Sequence, residues 1–547
     1  MGKSDKVILF DMNEKDIMLL YDTFFLASYL KSKRYNTEYC DLLRESFNMF
    51  MDKHFLSKTF EEFEKDMLQK GVSFKKKIRQ LGIQWHIKAI KKKYKTNLTT
   101  KVECADNDFL RHYLLFSLLL GAKHHYTPKE MVQKDGVNTL LYYLIPTRLY
   151  SSDCSQIFAG LFFSSEEFQR WMKHMICNKK VLYFSFTYPY QNNIFKIIAS
   201  GIKRRFPEKK IIVGGPWVTH NIKTGLINKE YFNYCDFIIL GEGEKPLSTL
   251  IRGHKQFRKM NDIPNVVYLK DGDIKVGRVD HFRNLNDLPI PEFSKEFIRD
   301  SKISYIPYET GRGCSWHKCI FCGNFGTESV YREKIPKKIV SELQALKKET
   351  GISDFKFINN ELRMEHALQI SKEIIKRKLN ISWESRMRFN KNLSLDKLTL
   401  LKSAGCEELR FGLESGDKKT NKIIKKGVNI EKAAEIIKNC KKAGINVVLL
   451  TVVGFPFESL SSVLSTIRFI RKNKSFLSRS NIYLFVAVPN TPIVNKNEKY
   501  GIKKFVQGGF ISDSHKNTLF RMYLLEPLLY TCSYLLSNEF FELRIKG

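Results

Sequence analysis

Short uninterrupted apolar runs alternate along this chain with longer stretches whose apolar positions recur at helical spacing. Residues 6–10 (KVILF) predict a buried strand, 19–30 an apolar-patterned helix and 39–43 (YCDLL) a second short strand. Strand, helix, strand is the opening of a parallel α/β unit. From about residue 50 to 178 the text turns helical and basic, with periodic stretches at 51–69, 74–94 and 109–121. That block is either an insertion into the α/β unit or a helical domain of its own. The α/β pattern then resumes with strand 181–186 (VLYFSF), helix 193–206, strand 210–213 and strand 236–240 (DFIIL). Residues 262–298, with Pro264, Pro289 and Pro291, predict a linker and a hairpin, its strands near 265–270 and 274–279 around Asp271-Gly272-Asp273.

A second alternation begins with strand 303–308. Helices are expected at 337–349, 364–378, 395–404, 430–443 and 460–472, and strands at 354–358, 381–387, 408–412, 446–453 and 482–488. Gly351, Gly405 and Gly444 each follow a helix, as C-terminal caps do. Six strand–helix units are fewer than a closed barrel needs, so an open partial barrel is predicted, with its working loops at the strand C-termini. The tail, 508–547, is aromatic and reads as mostly helical, 519–534 being apolar on most faces.

Apolar and aromatic contents of 43% and 13% mark a globular chain. The net charge of +35 fits either a nucleic-acid or anionic partner or a lysine-rich solvated background, and the second reading is favoured. Local basic runs lie at 75–77 and 91–93. Eleven cysteines in 547 residues are too few for a disulfide scaffold, which fits a reducing cytoplasm. The N-terminal text has no signal-peptide apolar stretch, and no apolar run reaches the roughly 18 residues of a membrane helix.

Three of the cysteines, Cys314, Cys319 and Cys322, fall within nine residues, directly after Gly311-Arg312-Gly313. Thiolates suit iron–sulfur clusters and zinc. Three are one fewer than a closed site uses, so a four-iron cluster held this way keeps one iron open. A zinc site completed by His317, or three ordinary thiols, are the alternatives. Glycine loops follow two of the N-terminal strands, at Gly214-Gly215-Pro216 and Gly241-Glu242-Gly243-Glu244. Such positions bind ligands in parallel sheets, although plain turns also explain single cases.

The cysteine loop resembles that of the radical S-adenosylmethionine (radical SAM) enzymes. That resemblance implies a 4Fe–4S cluster on Cys314, Cys319 and Cys322, with the SAM amino and carboxylate groups on the open iron and Phe321 near the adenine. The spacer Ser315-Trp316-His317-Lys318 is one residue longer than the family's usual one. A Trp at its second position is similar to a branch that modifies ribosomally made peptides. Asn360 and Glu361 stand where the family holds the SAM amino group, in a segment that often reads Gly-Gly-Glu. Arg388 matches an arginine near the SAM carboxylate. Glu414 and Ser415 lie in a segment that resembles the ribose-contacting one, and Gly454, in Gly454-Phe455-Pro456-Phe457-Glu458, opens another family signature. Pro489-Asn490-Thr491-Pro492 matches a further one.

The N-terminal α/β text resembles the cobalamin-binding domain that precedes many radical SAM domains. Ser185, Thr187, Gln191, Gly214, Gly215, Gly241, Glu242 and Gly243 would then line a cobalamin site. The loop with a histidine ligand for cobalt is not visible, and a vestigial, empty sheet is the alternative. The implied organisation is a cobalamin-binding-type Rossmann-like parallel sheet over 1–280 with a helical insertion at about 50–178 and a linker over 281–301. A partial (β/α)6 radical SAM barrel over 302–495 and a C-terminal helical extension over 496–547 follow. The implied function is reductive cleavage of SAM and cobalamin-dependent methyl transfer to unactivated carbon of a peptide or small molecule. An electron donor such as flavodoxin or ferredoxin would serve it, and no catalytic side chain is assigned. Non-methylating rearrangement or cyclisation is the runner-up. A tRNA methylthiotransferase ranks below both, because the upstream cysteines are scattered and the tail reads as helical.

Overall fold

The computed structural model describes residues 6–11, 17–42, 166–187, 189–253 except 223 and 225, 263–293, 298, 303–323, 330–506 except 391, 509–512 and 541–544. Most of the expected helical block, its lysine runs and the tail helix at 519–534 lie outside these residues. The chain divides into two compact units, one of residues 1–218 and 228–278, the other of 219–227 and 279–547.

The first unit is built on a seven-stranded sheet in the order β2-β1-β3-β4-β5-β6-β7. Its strands are β1 Lys6–Asp11, β2 Thr37–Asp41, β3 Lys179–Ser185, β4 Lys210–Gly214, β5 Phe237–Ile239, β6 Val266–Lys270 and β7 Asp273–Val276. The first five pair in parallel. Val181, Leu182, Tyr183 and Phe184 are buried in succession, the mark of a strand covered on both faces. Helices α1 Ile17–Ser32, α2 Glu166–Ile176, α3 Pro189–Arg205, α4 Pro216–Asn221 and α5 Glu244–Arg252 connect or flank them. Phe10 stacks on Phe184 at 4.8 Å between centroids, and Phe184 packs on Phe195 of α3. The hairpin expected before the linker is present as antiparallel β6 and β7, and it extends this sheet by pairing with β5. Asp271 and Gly272 both have positive φ (51° and 78°), as a tight turn matched to strand twist requires.

The second unit holds another seven-stranded sheet, in the order β18-β15-β14-β13-β12-β11-β8, all parallel. Six strands follow the predicted series: β8 Ile306–Tyr308, β11 Asp354–Phe357, β12 Ser382–Met387, β13 Cys406–Glu414, β14 Asn446–Val453 and β15 Arg479–Leu484. The crossovers carry α6 Pro336–Thr350, α7 Met364–Lys376, α8 Leu395–Ser403, α9 Lys418–Ile423, α10 Ile430–Lys442 and α11 Leu460–Asn473. Three features go beyond the sequence pattern. β18 (Phe541–Arg544) adds to β15 from a tail read as helical, and a hairpin of β16 (Ile502–Val506) and β17 (Gly509–Ser512) precedes it. A two-residue strand, β9 (Gly311–Arg312), pairs antiparallel with β10 (Arg332–Glu333), bracketing the cysteine loop. Among the described residues no helix is long and apolar enough to cross a membrane.

Candidate active site

The cysteine loop leaves β9 at the C-terminal side of β8. Cys319 is buried, and Cys314 and Cys322 are half-buried. Glu361, in the loop after β11, gathers the loop's start. Its Oε2 accepts from the Ser315 N–H and the Ser315 hydroxyl, each at 2.9 Å, and from Cys314 Sγ at 3.3 Å. Its Oε1 lies 3.8 Å from Arg388 Nε. Asn359 braces the same strand end by accepting from the Thr310 N–H at 3.2 Å and donating to the Thr310 hydroxyl. Asn360 is exposed.

Burial pushes the Cys319 thiol up to about 11, while Lys426 and Arg388 pull it the other way. Burial also raises Cys314. Among the described residues, no three His, Cys, Asp or Glu side chains converge on one point as a single metal ion requires. His317 is exposed on the loop, with φ of 42°. Thiols with the cations Lys426 and Arg388 beside Cys319 fit an anionic iron–sulfur cluster.

Lys426 is a residue that sequence reasoning missed. Its side chain is 12% exposed and its Nζ donates to Glu414 Oε1 at 2.7 Å. Burial pulls the ammonium down, but Glu414 and then Cys319 outweigh it, and Lys426 ends above the ordinary lysine range. A side chain at Gly412 would put its Cβ 2.4 Å from Glu414 Oε1 and 2.7 Å from Lys426 Nζ. Gly412 was the available signal, a glycine beside a charge pair that needs its space. Arg388, just past β12, donates from Nη2 to the Lys426 carbonyl at 2.7 Å. Contacts therefore run without a break from Cys314 through Glu361, Arg388 and Lys426 to Glu414.

Other expected residues sit around this group. The Phe321 ring meets Phe455 edge-on at 5.4 Å, and Phe455 stacks on Phe457 at 5.7 Å, an apolar shelf at the strand ends. Gly454 has φ of 84°, and its N–H donates to Glu458 Oε2 at 2.5 Å. Ser415 is fully buried and turned toward α11, its hydroxyl 3.2 Å from that of Thr466.

In the first unit, strand order reverses direction between β1 and β3, the switch point where open parallel sheets bind ligands beyond the strand C-termini. Ser185 ends β3 there, and the Thr187 N–H donates to Oε1 of the buried Gln191 at 2.6 Å. The glycine loops divide. A Cβ on Gly214 would lie 2.1 Å from the Tyr183 hydroxyl, and one on Gly215 (φ 101°) 2.4 Å from the Phe186 carbonyl. Those two glycines serve the chain's own packing. At Gly241 (φ 65°) a Cβ would meet nothing within 4 Å, whereas at Gly243, the N-cap of α5, it would lie 3.5 Å from Leu26. Glu242 between them is half-buried.

Residues 308–470 match the radical SAM superfamily. The chain is 28% identical over 271 residues to an uncharacterized methyltransferase of Pyrococcus horikoshii, covering 48% of this chain and 58% of that one. It is 25% identical over 253 residues to an anaerobic magnesium-protoporphyrin IX monomethyl ester cyclase of Synechocystis sp., covering 45% and 50%. The chain thus spans about half the length of the curated relatives it matches. Among solved structures, the cobalamin-dependent S-adenosylmethionine radical enzyme OxsB with aqua-cobalamin bound aligns with TM-score 0.58 at 15% identity, covering 97% of this chain and 69% of that one. At that identity the likeness is one of fold.

Proposed function

We propose that this chain, which carries a radical SAM domain, cleaves SAM reductively and transfers a methyl group, with cobalamin, to carbon of a peptide or small-molecule substrate. The observation that carries the reading is the contact group of Cys314, Glu361, Arg388, Lys426 and Glu414, with Cys319 under the influence of its cations, at the strand C-terminal ends. When bound, the cluster supplies one electron to SAM, giving methionine and a 5′-deoxyadenosyl radical that takes hydrogen from carbon, and cobalamin supplies the methyl carrier. Cys314, Cys319 and Cys322 would hold the cluster. Arg388 presents a planar guanidinium suited to a carboxylate, and Lys426 offsets the cluster's negative charge. Glu361, Asn360 and Glu414 offer oxygens to the SAM amino and ribose groups, and Ser415 and Gly454 shape the loops beside them. The Phe321–Phe455 shelf suits a planar base and keeps water from it. In the first unit the open loop at Gly241, with Glu242 and Gly243, supports a corrin site whose rim is Ser185, Thr187 and Gln191. Gly214 and Gly215 hold that rim in shape. A flavodoxin- or ferredoxin-type donor would supply the electron.

The cyclase relative favours a second reading, radical chemistry without methyl transfer on the same machinery. The test is anaerobic purification from a cobalamin-supplemented host, with iron, sulfide and cobalt analysis and an assay for 5′-deoxyadenosine. Cys314→Ala, Cys319→Ala and Cys322→Ala should each abolish SAM cleavage and lower bound iron. Gly241→Asn, which tolerates the left-handed backbone while filling the open space, should lower bound cobalt and leave iron unchanged. Wild-type protein that takes up cobalamin, cleaves SAM and leaves every offered acceptor unmethylated would favour the second reading; protein without iron would end both.

A further inference from the structure

The longer spacer between the first two cysteines has a structural occupation of its own. Trp316, its second residue, is half-buried, and its indole Nε1–H donates to the Lys425 carbonyl at 2.8 Å. The ring lies against Gly427, where a Cβ would fall 2.3 Å from Cζ2 of the indole and where φ is 70°. Arg388 packs on the same indole, its guanidinium 4.5 Å from the Trp316 ring centroid while its Nη2 donates to the Lys426 carbonyl. The Ile320 N–H donates to the Ile424 carbonyl at 3.2 Å, a second stitch between the cysteine loop and the same turn. His317, the next residue, takes a positive φ of 42°.

We infer that Trp316 is a positioning residue. It clamps the 424–427 turn onto the cysteine loop, so that the Lys426 ammonium faces Cys319 and Arg388 is held for the carboxylate of SAM. The inference rests on the radical SAM reading and deepens it: the spacer residue sets the grip on SAM, acting through Arg388 and Lys426. An indole is needed for two reasons. Its N–H satisfies the Lys425 carbonyl, and its face is the best aromatic partner for a guanidinium.

The test uses the full chain with two variants, Trp316→Ala and Trp316→Phe. In the apo protein, hydrogen exchange over residues 424–427 should rise clearly in Trp316→Ala and less in Trp316→Phe, which keeps a ring. In reconstituted protein of matched iron content, Trp316→Ala should raise the KM for SAM about tenfold, the value of one lost hydrogen bond or cation–π contact. It should also weaken the change that SAM produces in the electron paramagnetic resonance spectrum of the reduced cluster. Arg388→Ala should do the same, and the double variant should fall clearly short of the product of the two single effects. A clamp that served only loop stability would lower iron occupancy and leave the KM and the SAM-induced spectral change of the loaded fraction untouched, which would overturn the inference. Unchanged exchange at 424–427 would overturn it too. Failure of the wild type to cleave SAM would strike the functional reading instead, since the apo exchange experiment does not depend on it.

Discussion

Gly412 shows how one absent side chain can hold a charge pair. Any Cβ there would intrude on both Glu414 and Lys426. Gly412→Ala should therefore destabilise the second unit by about 1–3 kcal/mol, the usual cost of overpacking, and disturb SAM affinity by pushing Lys426 aside. Urea unfolding of apo protein and the KM for SAM measure the two effects separately. Little of this was legible beforehand. Cys314, Cys319 and Cys322 announced themselves by spacing, and Arg388 only through the family resemblance. Lys426 did not, because its role comes from a turn that folds back toward the cysteine loop. Ser415 had a recognisable position, but its orientation toward Thr466 depends on α11, fifty residues on.

At the scale of elements, the cysteine loop stands on a buried polar foundation. The Lys334 N–H donates to the Thr310 carbonyl at 2.9 Å, fixing β10 to the approach of the loop. Lys334 Nζ donates to Glu342 Oε2 of α6 at 2.9 Å, Tyr308 of β8 donates to the same oxygen, and Lys338 pairs with Oε1. Burial alone would raise Glu342, but Lys334 and the donors around it hold its carboxyl below the usual range. Lys334→Met should cost about 1.5–3 kcal/mol, the value of one hydrogen bond to a charged group, because Tyr308 and Lys338 still hold the carboxylate; thermal unfolding reads it directly. His366 of α7 sits under the same foundation, its Nε2 2.9 Å from the Lys334 carbonyl and its Nδ1 3.3 Å from Glu333. Burial pulls its pKa below the free value. The unfolded chain therefore takes up a proton that the folded one refuses, so this contribution is whole above about pH 6.5 and is lost as pH falls below it. Burial lowers His220 in the same direction. Apo-protein melting should drop just under that pH, before the carboxylates titrate, and His366→Gln should shrink the drop. The strand–helix series was readable from periodicity. β9 and β10 were not, since two-residue strands carry no period and owe their existence to each other, and β18 was not, because it falls in a tail whose text reads as helical.

At the scale of the whole molecule, two α/β regions were readable in the sequence pattern; the compact units run over 1–218 with 228–278 and 219–227 with 279–547. The hairpin of β6 and β7, expected within 1–280 but with no stated pairing, joins the first sheet, a pairing that only the edge of β5 decides. The charge of +35 has no local explanation at the site, where cations and carboxylates are matched. If it is a solvated background, binding of total tRNA at near-physiological salt should be weak and should fall steeply as salt rises. Tight, saturable binding in a filter or fluorescence titration would instead make nucleic acid a partner.

The central pairing of the first sheet has a kinetic consequence. Val7 lies in register with Val181, and the long segment that starts after β2 lies between them. Loop-closure entropy grows only slowly with length, so the finished sheet pays little for carrying that segment. Speed is another matter, since contacts remote in sequence form late. β3, β4, β5 and the β6–β7 hairpin are close together along the chain and are expected to assemble first, leaving the edge of β3 open until β1 and β2 arrive. In pulse-labelled refolding, amides of β4 and β5 should gain protection ahead of those of β1. During that interval the exposed edge of β3 is where a second, half-folded copy would add its own strand, so loss of refolding yield should rise with protein concentration.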